Sequence, residues 1–66
     1  MAVDLLIVDD EASLRDLLST VFEEDGSRVE TAGTLAEARA VVQKDEVDLV
    51  LCDLMLPDGS GLELLR

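Results

Sequence analysis

Two short runs of mainly apolar residues, each ending in aspartate, limit what this chain can fold into. The first run covers residues 3–8 and leads directly into Asp9 and Asp10, and the second covers residues 48–52 and leads into Asp53. Strands that are apolar at successive positions must be covered on both faces, as in a parallel sheet with helices on each side. The two runs therefore predict apolar strands that lie side by side in such a sheet.

The segments between these runs have the periodicity of amphipathic helices. Apolar residues in EASLRDLLSTVFEEDG recur at i, i+3, i+4 and i+7, with Arg15 on the polar face, and Gly26 marks a natural end. The residues TLAE, from Thr34 to Glu37, form a capping box that opens a second helix. The residues LELLR, 62–66, begin a third helix. The predicted buried faces comprise Leu14, Leu17, Leu18, Val21 and Phe22 in the first helix and Leu35, Ala38, Val41 and Val42 in the second.

The order of elements, β-α-β-α-β followed by the start of a helix, is typical of an α/β fold with crossover helices. The middle strand, SRVETA, alternates apolar and polar residues and predicts one solvated side. Right-handed crossovers permit strand order 1-2-3 or 2-1-3. Order 2-1-3 is favoured because it leaves this half-polar strand at an edge and does not press Arg28 and Glu30 under a helix. We therefore expect a doubly wound, flavodoxin-like parallel sheet.

In this strand order, Asp9, Asp10 and Asp53 end two adjacent strands at a topological switch point, where ligands bind in α/β sheets. Neighbouring strands lie roughly 4.8 Å apart, so the three carboxylates should share one crevice. Three anions so close stay ionised only beside a cation. Mg²⁺ is the expected ion because it accepts few protein ligands and keeps waters that phosphate oxygens can replace. The alternative is purely structural: acids favour a helix amino terminus, and aspartate favours turns.

The composition narrows the choice of partners. With 66 residues the chain can form one small domain, and its net charge of −11 repels phosphate backbones and anionic lipids. Direct binding to nucleic acids or membranes is therefore not expected. The single cysteine, Cys52, excludes an internal disulfide, and its apolar neighbours favour an inert thiol. Because no run is long enough for a signal peptide or a membrane span, we expect a cytoplasmic protein.

Three segments, LLIVDDEASLRDLL, VDLVLCDLMLP and GSGLELLR, together resemble the amino-terminal half of a response-regulator receiver domain of two-component signalling. The resemblance extends over essentially the whole chain, and we interpret residues 1–66 as a partial receiver domain. It implies that a histidine kinase or phosphotransfer protein passes a phosphoryl group to Asp53, with Mg²⁺ required. Since an aspartyl phosphate is a reversible mark, we expect at most Mg²⁺-dependent self-phosphorylation and no turnover enzyme.

The resemblance also implies roles for individual residues. The metal ligands would be Asp9, Asp10, Asp53 and the backbone carbonyl of Met55, and the residues that shape the following loop would be Pro57 and Gly61. Of the two paired acids, Asp10 matches the direct ligand and Asp9 matches a neighbour that acts through water.

The sequence departs from a complete receiver domain, which has five strands, a switch Ser or Thr after the fourth and a Lys after the fifth. The only lysine here, Lys44, falls at the end of the second helix. Two interpretations stay open: a fragment of a longer protein, or a truncated receiver that acts as a structural or dimerisation module through its unpaired third strand. A phosphohydrolase of the haloacid-dehalogenase type is disfavoured, because Met55 stands where those enzymes carry a second acid.

Overall fold

Three parallel strands with two crossover helices form the body of the molecule. The computed structural model describes residues 3–44, 46–53 and 55–60. The predicted third helix and Gly61 lie outside these residues. In chain order the elements are β1 (Asp4–Val8), α1 (Ala12–Glu24), β2 (Arg28–Ala32), α2 (Leu35–Lys44), β3 (Leu49–Cys52), β4 (Met55–Leu56) and β5 (Gly59–Ser60).

The main sheet has the order β2-β1-β3, and both pairings are parallel, so the predicted topology is confirmed. In the register of the sheet, Val8 lies between Ala32 on β2 and Cys52 on β3. The three strands therefore end at the same level. This common end brings the residues that follow β1 and β3 to one edge of the sheet.

The core lies around β1, whose last four residues are almost completely buried. Side chains alternate between the two faces of a strand. Leu6 and Val8 pack with Leu35 and Ala38 of α2, in one cluster with Ala32 and Leu56. The other face of β1 carries Leu5 and Ile7, and α1 contacts β1 and β2. Because the two crossovers run in opposite directions across the sheet, α1 and α2 cover opposite faces.

The apolar stripe of α1 is less covered than the sequence predicts. None of its residues is fully buried, and Leu17 and Val21 are 60% and 51% exposed. On α2, Leu35 and Ala38 are buried as predicted, whereas Val42 is 42% exposed. The physical reason is the width of the sheet: three strands at roughly 4.8 Å spacing support one helix on each face, and the outer part of each stripe projects beyond them.

The amino terminus of α2 is capped as the sequence predicts. The Glu37 N–H donates to the Thr34 hydroxyl at 3.1 Å, which is the first half of the capping box. The Glu37 carboxylate reaches back to the N–H of Gly33 at 3.2 Å, one residue earlier than the motif predicts. At the end of α1, Gly26 adopts a positive φ of 90°, in keeping with its predicted role as a helix stop.

The loop in which Pro57 was predicted to act is more regular than the sequence indicates. Met55 and Leu56 pair antiparallel with Ser60 and Gly59, so the segment forms a small hairpin with Pro57 in its turn. Leu56 is buried in the core, which anchors the hairpin to the sheet. None of the described helices combines the length and apolarity needed to cross a membrane.

Candidate functional site

Three acidic side chains meet at the carboxyl end of the sheet. Asp9 and Asp10 follow β1, and Asp53 follows β3. Backbone pairing continues one residue past the strands, since the Asp53 N–H donates to the Val8 carbonyl at 2.9 Å and the Asp9 N–H donates to the Ala32 carbonyl at 3.0 Å. One carboxylate oxygen from each of the three acids lies within 4.8 Å of the others. The sheet thus holds three negative charges in one crevice.

The crevice is half open to solvent. Asp9 and Asp53 are half-buried and Asp10 is exposed, so ions can reach all three carboxylates. A mainly apolar cavity, lined in part by Leu18 of α1, adjoins the crevice at Asp9 and Asp53. At its floor, the Cys52 thiol donates to the Asp53 carbonyl at 3.2 Å. Burial raises the pKa of this thiol, and the charges of Asp53 and Asp9 raise it further. Cys52 therefore stays protonated and is not a nucleophile at this site.

Local hydrogen bonds orient two of the carboxylates. Asp9 accepts from the Glu11 N–H at 2.9 Å, and Asp53 accepts from the Met55 N–H at 3.1 Å. Each bond is made by one carboxylate oxygen, the Oδ1 atom. An ionised carboxylate has about four acceptor positions, so both oxygens of each acid keep positions for a further ligand.

Arg15 of α1 is hydrogen-bonded to the loop that follows β1, a contact that the sequence did not predict. It was placed on the solvated face of α1, but it is half-buried, and its guanidinium donates to the backbone carbonyl of Asp9 at 2.5 Å. Gly33 makes room for it, because a Cβ atom there would lie 3.0 Å from the guanidinium. The bond fixes the loop that carries Asp9 and Asp10. No local motif marks it, since it depends on how α1 packs beside the second crossover.

The segment after Asp53 carries the remaining predicted residues. Met55 is the first residue of β4. Its N–H donates to the Asp53 carboxylate, and the residue is 79% exposed. Pro57 is exposed in the hairpin turn. Asp58, beside it, was not identified from the sequence, yet its two carboxylate oxygens accept from the Leu35 and Ala36 N–H groups at 2.7 and 3.0 Å.

The donor set fits a hard divalent cation. All three side chains offer carboxylate oxygens, the ligands that Mg²⁺ and Ca²⁺ prefer. Oxygens that coordinate one Mg²⁺ ion at about 2.1 Å lie no more than about 4.2 Å apart, so the observed limit of 4.8 Å suits direct binding by some acids and water-mediated binding by another. The exposed Asp10 can rotate toward an ion at little cost.

Comparison with known proteins identifies the class to which this fold and crevice belong. Residues 5–66 match the family described as the response regulator receiver domain. The KDP operon transcriptional regulatory protein KdpE of Escherichia coli is 43% identical over 63 residues, which are 96% of this chain and 28% of that protein. The sporulation initiation phosphotransferase F of Bacillus subtilis is 39% identical over 62 residues, 94% of this chain and 50% of that protein.

Solved structures agree with the sequence relatives. A chemotaxis response regulator of Vibrio cholerae superposes with a TM-score of 0.92 at 34% identity, covering 98% of this chain and 54% of that chain. The non-phosphorylated HemR receiver domain of Leptospira biflexa gives a TM-score of 0.86 at 41% identity, covering 92% of this chain and 49% of that chain. The chain thus spans about half the length of these solved receiver domains.

The chain belongs to the response regulator receiver domain family. Receiver domains of this family generally accept a phosphoryl group and bind Mg²⁺ at an acidic pocket. They interact with histidine kinases or phosphotransfer proteins.

Proposed function

We propose that Asp53 accepts a phosphoryl group from the phosphohistidine of a kinase or phosphotransfer protein, with Mg²⁺ bound beside it. The observation that carries this proposal is the meeting of three carboxylates, from the ends of two adjacent strands, within 4.8 Å. The proposed metal ligands are Asp9, Asp10, Asp53 and the backbone carbonyl of Met55. The proposed domain is a partial receiver over residues 1–66, acting in the cytoplasm.

The surroundings of Asp53 support its choice as the acceptor. It follows β3 directly, is half-buried, and has its Oδ1 atom held by the Met55 N–H, which leaves Oδ2 free to attack. In the transfer, a bond forms between this oxygen and phosphorus while the bond from phosphorus to the histidine nitrogen breaks. The imidazole leaves with the electron pair and takes up a proton.

The other groups of the crevice reduce the electrostatic cost of this step. Asp9 and Asp10 would hold Mg²⁺, which supplies positive charge against the repulsion between a carboxylate and an incoming phosphoryl group. The lysine of this sequence, Lys44, is placed at the carboxyl end of α2. We therefore expect slow phosphorylation of residues 1–66, because among the described residues no lysine follows β1 or β3 to stabilise the transferring phosphoryl group.

Intact-mass analysis tests the acceptor. The protein is incubated with a small acyl phosphate and Mg²⁺, beside Asp53→Asn and the control Asp16→Asn, which alters an exposed acid on α1. We expect one added phosphoryl group on the wild type and on Asp16→Asn, and none on Asp53→Asn. Equal labelling of the wild type and Asp53→Asn would refute the assignment. Absence of label from all three proteins would favour a module without phosphotransfer.

A second candidate function, dimerisation, has its own observation. Leu49 and Val50 on β3 are 48% and 38% exposed, and within the described residues β3 pairs only with β1. An apolar strand with a free edge is a template for pairing. Two copies could align their third strands antiparallel and form a sheet ordered 2-1-3-3′-1′-2′. Nucleic acids and membranes are not proposed as partners, because the net charge of −11 repels both.

Sedimentation over a range of concentrations tests the dimer. We expect a monomer–dimer equilibrium that Val50→Lys shifts to monomer, since a charge at the edge strand opposes pairing. The control Val42→Lys changes a similarly exposed valine on α2, outside the proposed contact, and should leave the equilibrium unchanged. A monomer at all concentrations, with a stable fold, would exclude this function.

A further inference from the structure

Asp58 joins the loop after β3 to the start of α2, across more than twenty residues of sequence. Its Oδ1 atom accepts from the Leu35 N–H at 2.7 Å, and its Oδ2 atom accepts from the Ala36 N–H at 3.0 Å. A carboxylate at the amino terminus of a helix gains from both the free N–H groups and the helix dipole. The contact therefore holds the hairpin turn against α2.

The start of α2 obtains its remaining cap, and its first regular helical hydrogen bond, from Thr34. The Glu37 N–H donates to the Thr34 hydroxyl at 3.1 Å, and the Ala38 N–H donates to the Thr34 carbonyl at 3.1 Å. Of the N–H groups of the first three residues of α2, which have no partner within the helix, Asp58 therefore accepts from two and the Thr34 hydroxyl from one. The Thr34 bonds stabilise only the helix, whereas the Asp58 bonds stabilise the helix and also position the hairpin.

The hairpin in turn carries a residue of the proposed metal site. Met55 donates its N–H to the Asp53 carboxylate, and its strand pairs with Gly59 and Ser60. Leu56, the next residue, is 8% exposed and belongs to the core cluster. Three contacts therefore hold this segment in place. Met55 is bonded to the Asp53 carboxylate, Leu56 is packed in the core, and Asp58 is bonded to the start of α2.

We infer that Asp58 is a positioning residue for the proposed Mg²⁺ site, acting through the hairpin on Met55 and Asp53. This inference rests on the proposed function. Without the contact to α2, the turn is released, and the Met55 carbonyl and Asp53 carboxylate must be ordered when the ion binds. That ordering reduces the free energy available for binding. Removing a partner of a metal ligand typically weakens metal affinity by about 10–100-fold, and Asp58 acts one step further from the ion.

The test compares Asp58→Ala and Asp58→Asn with the control Thr34→Ala. The control removes a cap from the same helix terminus and leaves the hairpin contact in place. Mg²⁺ is titrated into each protein, and the amide NMR shifts of Asp53 and Met55 are followed. We expect the Kd for Mg²⁺ to rise about three- to tenfold in Asp58→Ala. We expect a smaller rise in Asp58→Asn, whose one amide oxygen can accept one of the two bonds, and no change in Thr34→Ala.

Amide hydrogen exchange of the metal-free proteins gives a readout that does not depend on the ion. Faster exchange at Met55 and Leu56 in the Asp58 variants, with Thr34→Ala unchanged there, supports the inference. A wild-type Kd retained in Asp58→Ala would overturn it while leaving the metal site intact. Equal weakening of Mg²⁺ binding by Asp58→Ala and Thr34→Ala would also overturn it, since Asp58 would then act only through helix stability. A wild type that shows no Mg²⁺-dependent shifts would refute the proposed metal site itself.

Discussion

Replacing Asp53 with asparagine is expected to stabilise the metal-free protein, because the change removes one of three clustered negative charges. Asp53 has an oxygen within 4.8 Å of oxygens on both Asp9 and Asp10. Two unit charges at that distance repel by about 0.9 kcal/mol in a water-like dielectric, so the two pairs cost about 2 kcal/mol at low salt. At physiological salt the Debye length of about 8 Å reduces this to roughly 1 kcal/mol.

The substitution leaves the local geometry in place. The asparagine Oδ1 atom can accept the 3.1 Å hydrogen bond from the Met55 N–H that the carboxylate accepts now. In a domain of this size, 1 kcal/mol shifts the melting temperature by about 4–8 °C. Thermal unfolding followed by circular dichroism, in EDTA and at physiological salt, measures the gain. Asp16→Asn, which removes an equal charge from an exposed position on α1, is the matched control.

Addition of Mg²⁺ should reverse the order of stability. At ten times its Kd, an ion that binds only the folded state stabilises that state by about 1.4 kcal/mol. The wild type and Asp16→Asn should gain this amount, and Asp53→Asn should gain far less. If Asp53→Asn is no more stable than Asp16→Asn without metal, the three carboxylates do not repel one another in solution. If Mg²⁺ stabilises all three proteins equally, the ion binds elsewhere.

The other predictions concern the fold and its caps. Thr34→Ala should lower the free energy of unfolding by about 1 kcal/mol through loss of the cap on α2, measured by urea denaturation. Leu6→Ala should cost about 2–5 kcal/mol, because Leu6 is fully buried; Leu17→Ala, at a side chain 60% exposed, should cost far less in the same assay. Hydrogen bonds from the first N–H groups of α2 lower the pKa of Asp58. Its stabilising contribution is therefore complete above the ordinary aspartate pKa of about 3.9 and is lost as the pH falls through the lower folded-state value. The difference in melting temperature between wild type and Asp58→Asn should disappear over that acid range, and a difference that persists below it would contradict the assignment.

Local patterns in the sequence were enough to predict the topology and the location of the crevice. The apolar run before Asp9 requires two covered faces and takes the centre of the sheet, the apolar run before Asp53 pairs beside it, and the half-polar middle strand takes the other edge, which sets the order 2-1-3. Once this order is known, the acids that end β1 and β3 must lie side by side. The cap made by Thr34 and Glu37 was predictable for the same reason, since the two residues are three positions apart.

Contacts between residues distant in sequence were decided only by the tertiary structure. From the sequence, Asp58 is a turn residue, and only the fold brings it to the amino terminus of α2. Arg15 likewise belongs to a polar helix face, and only the packing of α1 brings it to the Asp9 carbonyl. The exposure of Leu17 depends on how far the sheet extends beneath α1. Periodicity describes the faces of one element and the residues that end it. Which faces meet, and which polar side chains reach backbone groups across the molecule, follows from packing several elements at once.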